Sequence, residues 1–355
     1  MNKPDAVHLS PGDFRAFFNA LHGFDPFPWQ ARLAESVTTT RAWPSTLSVP
    51  TAAGKTAIID IAIFHLALEA VDAAAIRKAP RRIFFVVDRR VVVDEAFLRA
   101  QGIAEQLQES LEGPPGIVRT VARNLLSLGG DLPLSVARMR GGMYQDHGWA
   151  KSPAQPSVCV STVDQVGSRL LFRGYGVSES ARPIHAGLVG SDSLIVVDEA
   201  HLSTAFVDSL NWVKKYRSDG WASHPPETPF SVVRMSATVA SADSWLEDED
   251  RKHAVLGPRL KARKHARLTE VKADKDEPEG KLRERFAEHV AEEAETLLTQ
   301  TSSKRIPAPV IAVVVNRVAT ARRVFESLRK SVHSAEDGDA ILLTGRVRPF
   351  DRDRI

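Results

Sequence analysis

Ser48-Val49-Pro50-Thr51-Ala52-Ala53-Gly54-Lys55-Thr56 decides how the rest of the chain is read. A β-favouring run at 46–49 precedes the loop and an apolar-periodic pattern over 55–69 follows it, so the spacing predicts strand, tight loop and helix. A strand feeding a Gly-Lys-Thr loop at a helix N-terminus suits a phosphate. Backbone N–H groups of the loop and first helical turn point at phosphate oxygens, where the helix dipole also favours negative charge. Thr51, Ala52 and Ala53 would line the cradle with Gly54. Lys55 would carry a point charge to the β- and γ-phosphates of a nucleotide, and the Thr56 hydroxyl would ligate Mg²⁺. The full pattern asks for glycine where Val49 stands, and glycine is common where Ala52 stands. A Gly-Lys-Thr that merely turns into a helix spells the same three residues, so the decision falls to the rest of the chain.

The bulk properties set wide limits. A chain of 355 residues has room for about two domains with ample core. Hydrophobic content of 43% and charged content of 26% are those of an ordinary globular protein. The net charge of +3 leans mildly toward polyanions. A single cysteine, Cys159, excludes a disulfide framework and fits a reducing compartment. The sequence shows no apolar run long enough to span a membrane. Acidic residues and proline occupy 1–13, where a signal peptide would be apolar. A cytoplasmic protein with no membrane partner is the expectation.

In chain order, residues 12–35 read as helix, loop, helix around Phe24-Asp25-Pro26-Phe27-Pro28-Trp29-Gln30. The Gln30 amide suits the N6 and N7 edge of adenine, and an aromatic ring suits its face. The same aromatics would also serve to pack the first helix. Residues 82–87 are continuously apolar, which predicts a strand buried on both faces, and a helix follows over 92–111. Arg89 and Arg90 sit at the carboxyl end of that strand, where open α/β sheets place ligands. Residues 113–157 read as loops around short strands, with Arg138 and Arg140 either near a phosphate or on a solvated loop. A strand at 158–161 leads to Thr162, a natural N-cap for a helix reaching about 172. A further strand ends in Asp198-Glu199-Ala200-His201. Asp198 would hold Mg²⁺ through its water shell, Glu199 would orient and deprotonate the attacking water, and His201 would link the nucleotide to the nucleic-acid side. A strand at 230–235 delivers Ser236-Ala237-Thr238, whose hydroxyls can bond back to that turn.

Gln30, Gly54-Lys55-Thr56, Thr162, Asp198-Glu199-Ala200-His201 and Ser236-Ala237-Thr238, in that order, resemble the first motor domain of a superfamily 2 helicase. Within that superfamily, four stretches are similar to the CRISPR-associated type I helicase–nuclease, closest to the subtype once called I-U and now I-G. They are Asp88-Arg89-Arg90, Thr162-Val163-Asp164-Gln165, Asp198-Glu199-Ala200-His201-Leu202 and Arg346-Val347-Arg348-Pro349-Phe350-Asp351-Arg352-Asp353. The resemblance implies an α/β, RecA-like P-loop NTPase domain with a mostly parallel sheet, followed by the beginning of a second such domain. It implies ATP and Mg²⁺ as cofactors, with Lys55 and Glu199 catalytic and Gln30, Thr51 to Thr56 and Asp198 around the nucleotide. It further implies coupling through His201, Ser236 and Thr238, with Arg89, Arg90 and Thr162 on the nucleic-acid backbone. The implied partners are single-stranded or R-loop DNA and a guide-RNA surveillance complex. Asp-Arg-Arg departs from the Pro-Thr-Arg flavour usual in helicases.

The expected organisation is an N-terminal helical and adenine-reading segment at 1–45, a first RecA-like domain at 46–245, a charged linker and amphipathic helix at 246–305, and the start of a second RecA-like domain at 306–355. Residues 247–250 are four consecutive acids, and 251–267 hold seven Lys or Arg and no Asp or Glu, read as a solvated face or a nucleic-acid patch. An amphipathic helix over 281–298 would bury Leu282, Phe286, Val290, Ala294 and Leu297. Strands are expected at 310–315 and 340–344, with a helix at 319–330 between them. A late Gln-x-x-Gly-Arg-x-x-Arg-type motif is absent, and none of the eleven histidines is followed by aspartate, as the family's nuclease dyad requires. An amino-terminal fragment or prematurely ended gene product is therefore the expectation.

Overall fold

The computed structural model describes residues 6–88, 90–140, 148–236, 245–263, 266–273, 278–302, 310–332 and 339–344. Contacts divide the chain into two compact units, residues 1–263 and 264–355.

The first unit begins with helices α1 (Asp13–His22) and α2 (Pro28–Thr40) and strand β1 (Thr46–Ser48). Helix α3 (Ile58–Leu68), strand β2 (Arg82–Val87) and helices α4 (Arg90–Ser110) and α5 (Ile117–Ser127) follow. Next come β3 (Ser135–Met139), β4 (Ser157–Thr162), α6 (Val163–Leu170), α7 (Arg182–Gly190) and β5 (Ser193–Val197). The unit closes with α8 (Thr204–Tyr216), β6 (Phe230–Ser236), α9 (Asp248–Lys252) and α10 (Leu256–Lys261). The six strands form one sheet in the order β1-β6-β5-β2-β4-β3, and every pairing is parallel.

Side-chain alternation splits the core in two. Along β2, Ile83, Phe85 and Val87 join a cluster shared with α1 to α5, while Phe84 and Val86 join one shared with α6, α7 and α8. A strand that must be apolar on both faces has no polar alternation, which is why β2 and β5 read as unbroken hydrophobic runs. The register aligns the carboxyl ends: Val87 lies beside Thr162, Val86 beside Val197, and Ser48 beside Ser236. All six strands therefore deliver their following loops to one edge, where such sheets bind ligands.

Three expectations change here. The stretch 113–157 holds a short strand, β3, as expected, but also helix α5, and α7 fills a segment with no clear periodicity. The first unit extends past residue 245 to Arg263 rather than yielding to a linker. The reason is Asp250, read as one of four solvated acids: it is 0% exposed and accepts hydrogen bonds from the backbone N–H of Trp29 and from Arg32.

In the second unit α11 (Glu279–Ser302) pairs with α12 (Val318–Val332). The buried stripe is Ala287, Ala291 and Ala294, whereas Phe286 and Leu297 are exposed. Small residues allow close approach to α12, which turns the expected stripe aside. No strand is assigned at 310–315 or 340–344 among the described residues, and Val310 and Val314 are each 91% exposed. Both stretches are almost continuously apolar, but a strand requires a neighbour to complete its ladder. Residues 346–353 lie outside the described residues.

Candidate nucleotide-binding site

The loop after β1 is shaped by two left-handed residues, Ala52 at φ 66° and Gly54 at φ 78°. Glycine takes that conformation freely, whereas an L-residue such as Ala52 bears a cost of about 1–2 kcal/mol. The departure from glycine at 52 is thus accommodated as backbone strain at a site where strained residues tend to gather. A short 3₁₀ turn, Lys55–Ala57, precedes α3, so the helix expected from residue 55 opens one turn later. Among the described residues, the backbone N–H groups of Gly54, Lys55 and Thr56 have no protein acceptor. Three open donors in a tight turn make a concavity suited to an anion.

The first turn of α2 holds this loop from behind. Trp29 Nε1 donates to the Ala53 carbonyl at 3.0 Å, and Gln30 Nε2 donates to the Gly54 carbonyl at 2.9 Å. The other amide atom of Gln30, Oε1, accepts from the N–H of Phe27 at 2.8 Å. Gln30 is buried and both ends of its amide are engaged within the protein, so here it braces the loop rather than presenting a free edge to a base. Of the aromatics, Trp29 is core and Phe24 is exposed.

From the other side, β5 delivers the acids. The N–H of Asp198 continues the ladder to the Val86 carbonyl at 2.8 Å. Glu199 then adopts φ 47°, which throws its side chain back across the loop. Lys55 Nζ lies 2.6 Å from Glu199 Oε1 and 3.2 Å from Asp198 Oδ1, and its side chain is only 9% exposed. The lysine therefore occupies, with its own carboxylates, the place its charge would take against phosphate. His201 Nδ1 stands 3.5 Å from Glu199 Oε2 and 3.3 Å from the Ser236 hydroxyl, which joins the end of β6 to the acidic turn.

Gln30, Gly54, Lys55, Asp198, Glu199, His201 and Ser236 thus converge. Thr162 does not join them: β4 stands two strands from β5 on the same edge, about 10 Å at the usual strand spacing. It is buried at the N-cap position of α6 but makes no side-chain capping bond. Arg89 and Thr238 lie outside the described residues, and Arg90 opens α4 with only its backbone described. Arg138 and Arg140 are both paired with Asp94, and Arg138 also stacks over Phe97 at 4.8 Å, so neither is held ready for phosphate. Trp29 is buried as its reading as a packing aromatic expects, but its bond to the loop was not foreseen, nor was the role of Asp250, whose partner lies 221 positions away.

The arrangement fits a nucleoside triphosphate with Mg²⁺. Open N–H donors, a cradle that a Cβ at Gly54 would fill, and one buried cation match the charge and shape of the β- and γ-phosphates. No group of three or more His, Cys, Asp or Glu able to hold a metal occurs among the described residues. Mg²⁺ needs none when phosphates and water supply most of its ligands, leaving Thr56 and Asp198 to complete the shell.

No protein-family model and no curated protein matches the chain. Among solved structures, the chain is similar to the yeast DEAD-box splicing factor Prp28, at 14% identity and a TM-score of 0.39. The match covers 68% of this chain and 48% of that one. It is also similar to the Mycobacterium smegmatis helicase Lhr bound to single-stranded DNA and AMP-PNP, at 15% identity and a TM-score of 0.38. That match covers 94% of this chain and 41% of the helicase. The chain thus spans less than half the length of either, and similarity at this level transfers no residue roles.

Proposed function

We propose that the chain carries the nucleotide-binding half of an ATP-dependent superfamily 2 helicase or translocase. One observation carries this reading: Lys55 from the loop after β1 and Asp198 and Glu199 from the turn after β5 meet within 3.2 Å, although they stand 143 and 144 positions apart in the chain. Such a meeting of one lysine and two acids beside open N–H donors suits phosphoryl chemistry. With MgATP bound, Lys55 would face the β- and γ-phosphates, Thr56 and Asp198 would hold Mg²⁺, and Glu199 would accept the proton of the attacking water. His201 and Ser236 report the state of that turn to β6.

At finer grain, the full protein would act on single-stranded or R-loop DNA beside a guide-RNA surveillance complex and feed it to a nuclease region. The support is the similarity of the Asp-Arg-Arg, Thr-Val-Asp-Gln and Asp-Glu-Ala-His-Leu stretches to the type I CRISPR helicase–nuclease. The sequence has no late arginine motif to offset transition-state charge, so the chain alone should bind nucleotide and hydrolyse it slowly, without stimulation by DNA. The test is calorimetric titration of MgATP into the wild type, Lys55→Ala and Glu199→Gln, with turnover measured beside single-stranded DNA, single-stranded RNA and neither. Binding lost in Lys55→Ala and kept without turnover in Glu199→Gln is the expected result. Unchanged affinity in Lys55→Ala would remove the assignment. Stimulation by RNA alone would favour another helicase of the superfamily.

A further inference from the structure

Residues 247–250 are acidic enough to be dismissed as solvated surface, yet Asp250 is 0% exposed. Its Oδ1 accepts from the N–H of Trp29 at 2.8 Å, and its Oδ2 from the N–H of Glu247 at 2.9 Å and from Arg32. Trp29 belongs to the first turn of α2, where N–H groups have no intrahelical acceptor, and the N-cap residue Phe27 supplies no side-chain cap. Asp250 thus caps α2 from 221 positions away and sets a negative charge at the positive end of its dipole. Arg32, one turn further on, closes the connection by donating to Asp250 and, at 3.0 Å, to the Trp245 carbonyl. The N–H of Trp245 in turn donates to the Ser48 carbonyl, the last residue of β1, at 3.2 Å.

That same helical turn carries the two side chains that end on the phosphate loop, Trp29 on Ala53 and Gln30 on Gly54. Those carbonyls immediately precede Lys55. We propose that Asp250 is a positioning residue for the phosphate loop, acting through Trp29 and Gln30, so that a segment outside every recognised motif sets the resting geometry of the nucleotide site. The same segment also touches the N-cap residue of α2: His253 meets the Phe27 ring edge-on at 5.2 Å, and the Arg259 guanidinium lies 5.9 Å from it. The inference rests on the nucleotide reading for its function, but its geometry is measurable without nucleotide.

The experiment compares the wild-type chain with Asp250→Ala, Trp29→Phe, the double variant and Asp250→Asn. Hydrogen exchange is followed in the ligand-free protein, and MgATP affinity by calorimetry. Trp29→Phe retains a buried aromatic ring but removes the N–H that reaches Ala53 together with part of the buried indole, so general loosening is read separately at β2 and β5. The expected result is faster exchange at Ala53 and Ala57, whose N–H groups bond to Pro50 and Gly54, in both single variants, about tenfold, with β2 and β5 unchanged, and MgATP affinity weakened about five- to tenfold. The double variant should be no worse than the worse single, because the two act along one connection. Asp250→Asn, which keeps an acceptor for Trp29, should recover part of the loop protection. Unchanged exchange at Ala53 and Ala57 in Trp29→Phe, or additive losses in the double variant, overturns the inference, and Trp29→Phe decides alone if Asp250→Ala fails to fold. A wild type that binds no MgATP while its loop exchange responds as described leaves the positioning role intact and refutes the nucleotide reading instead.

Discussion

Replacing Gly54 by alanine tests the loop at its tightest point. Gly54 has φ 78°, and a Cβ there would lie 2.7 Å from Gln30 Nε2 and 3.4 and 3.5 Å from two carbons of the Phe27 ring. The left-handed conformation costs an L-residue about 1–2 kcal/mol. The clash adds to this, because Gln30 is not a free side chain: it is buried with both amide atoms bonded. Moving it gives up the bond to the Gly54 carbonyl, about 1 kcal/mol. The lower unfolded-state entropy of alanine returns about 0.4–1 kcal/mol. The net penalty is about 2 kcal/mol. Borne by global folding, it lowers the thermal midpoint by about 4–8 °C; borne by rearrangement of the loop, it weakens MgATP binding by about thirtyfold. Thermal unfolding and calorimetric titration on the same samples read both routes. Gln30→Ala forfeits the same bond by itself, so in a Gln30→Ala background Gly54→Ala should cost only the backbone part, about 1 kcal/mol. A Gly54→Ala protein with wild-type midpoint and wild-type affinity would refute the loop geometry.

Further expectations follow from neighbouring features. Ala52→Gly should relieve the left-handed strain at φ 66° and leave MgATP affinity equal or better, read by the same titration. Glu69 is buried, which alone would raise its pKa. Hydrogen bonds from His65 and Arg41, with the backbone N–H of Ala79, outweigh burial and hold the carboxyl far below the usual range. The stability that Glu69 contributes is therefore complete above the unfolded pKa of about 4.3 and is lost as pH falls from there toward the folded value. Urea midpoints of Glu69→Gln should differ from wild type at pH 7 and converge below pH 4; a constant difference would contradict the pairing. If Arg89 and Arg90 track the nucleic-acid backbone, their joint replacement by alanine should flatten the salt dependence of single-strand binding by about 0.7 per lost phosphate contact. Arg138→Ala, whose charge is already met by Asp94, should leave that slope unchanged.

What could be read in advance follows the range of the interactions. Buried parallel strands announce themselves locally, because β2 and β5 must be apolar on both faces, and the phosphate loop is spelled within nine residues. The convergence of Lys55, Asp198 and Glu199 followed from placing each at the carboxyl end of a parallel strand. Helix α5 was illegible because Ile117, Val118, Thr120 and Val121 are β-branched residues that favour strands. Asp250 was illegible for a different reason. An acid flanked by acids looks solvated, and only its distant partners, Trp29 and Arg32, make burial affordable. Gln30 was legible as a site residue, but not its engagement of both amide atoms with the loop and its own helix turn.

The strand order has a consequence for synthesis. β1 emerges early from the ribosome, yet its one neighbour in the sheet is β6, whose Arg234 bonds to Thr46 across 188 positions of chain. At translation rates of about 5–20 residues per second, β1 waits about 10–40 s for that neighbour. β2 and β4 can zip together well before then, with β5 joining them next, because all three precede β6 in the chain. The loop at 50–54 therefore cannot be anchored from both sides until the last strand docks. Nucleotide present during refolding should capture only that final step and leave the earlier assembly of the central strands at its own pace.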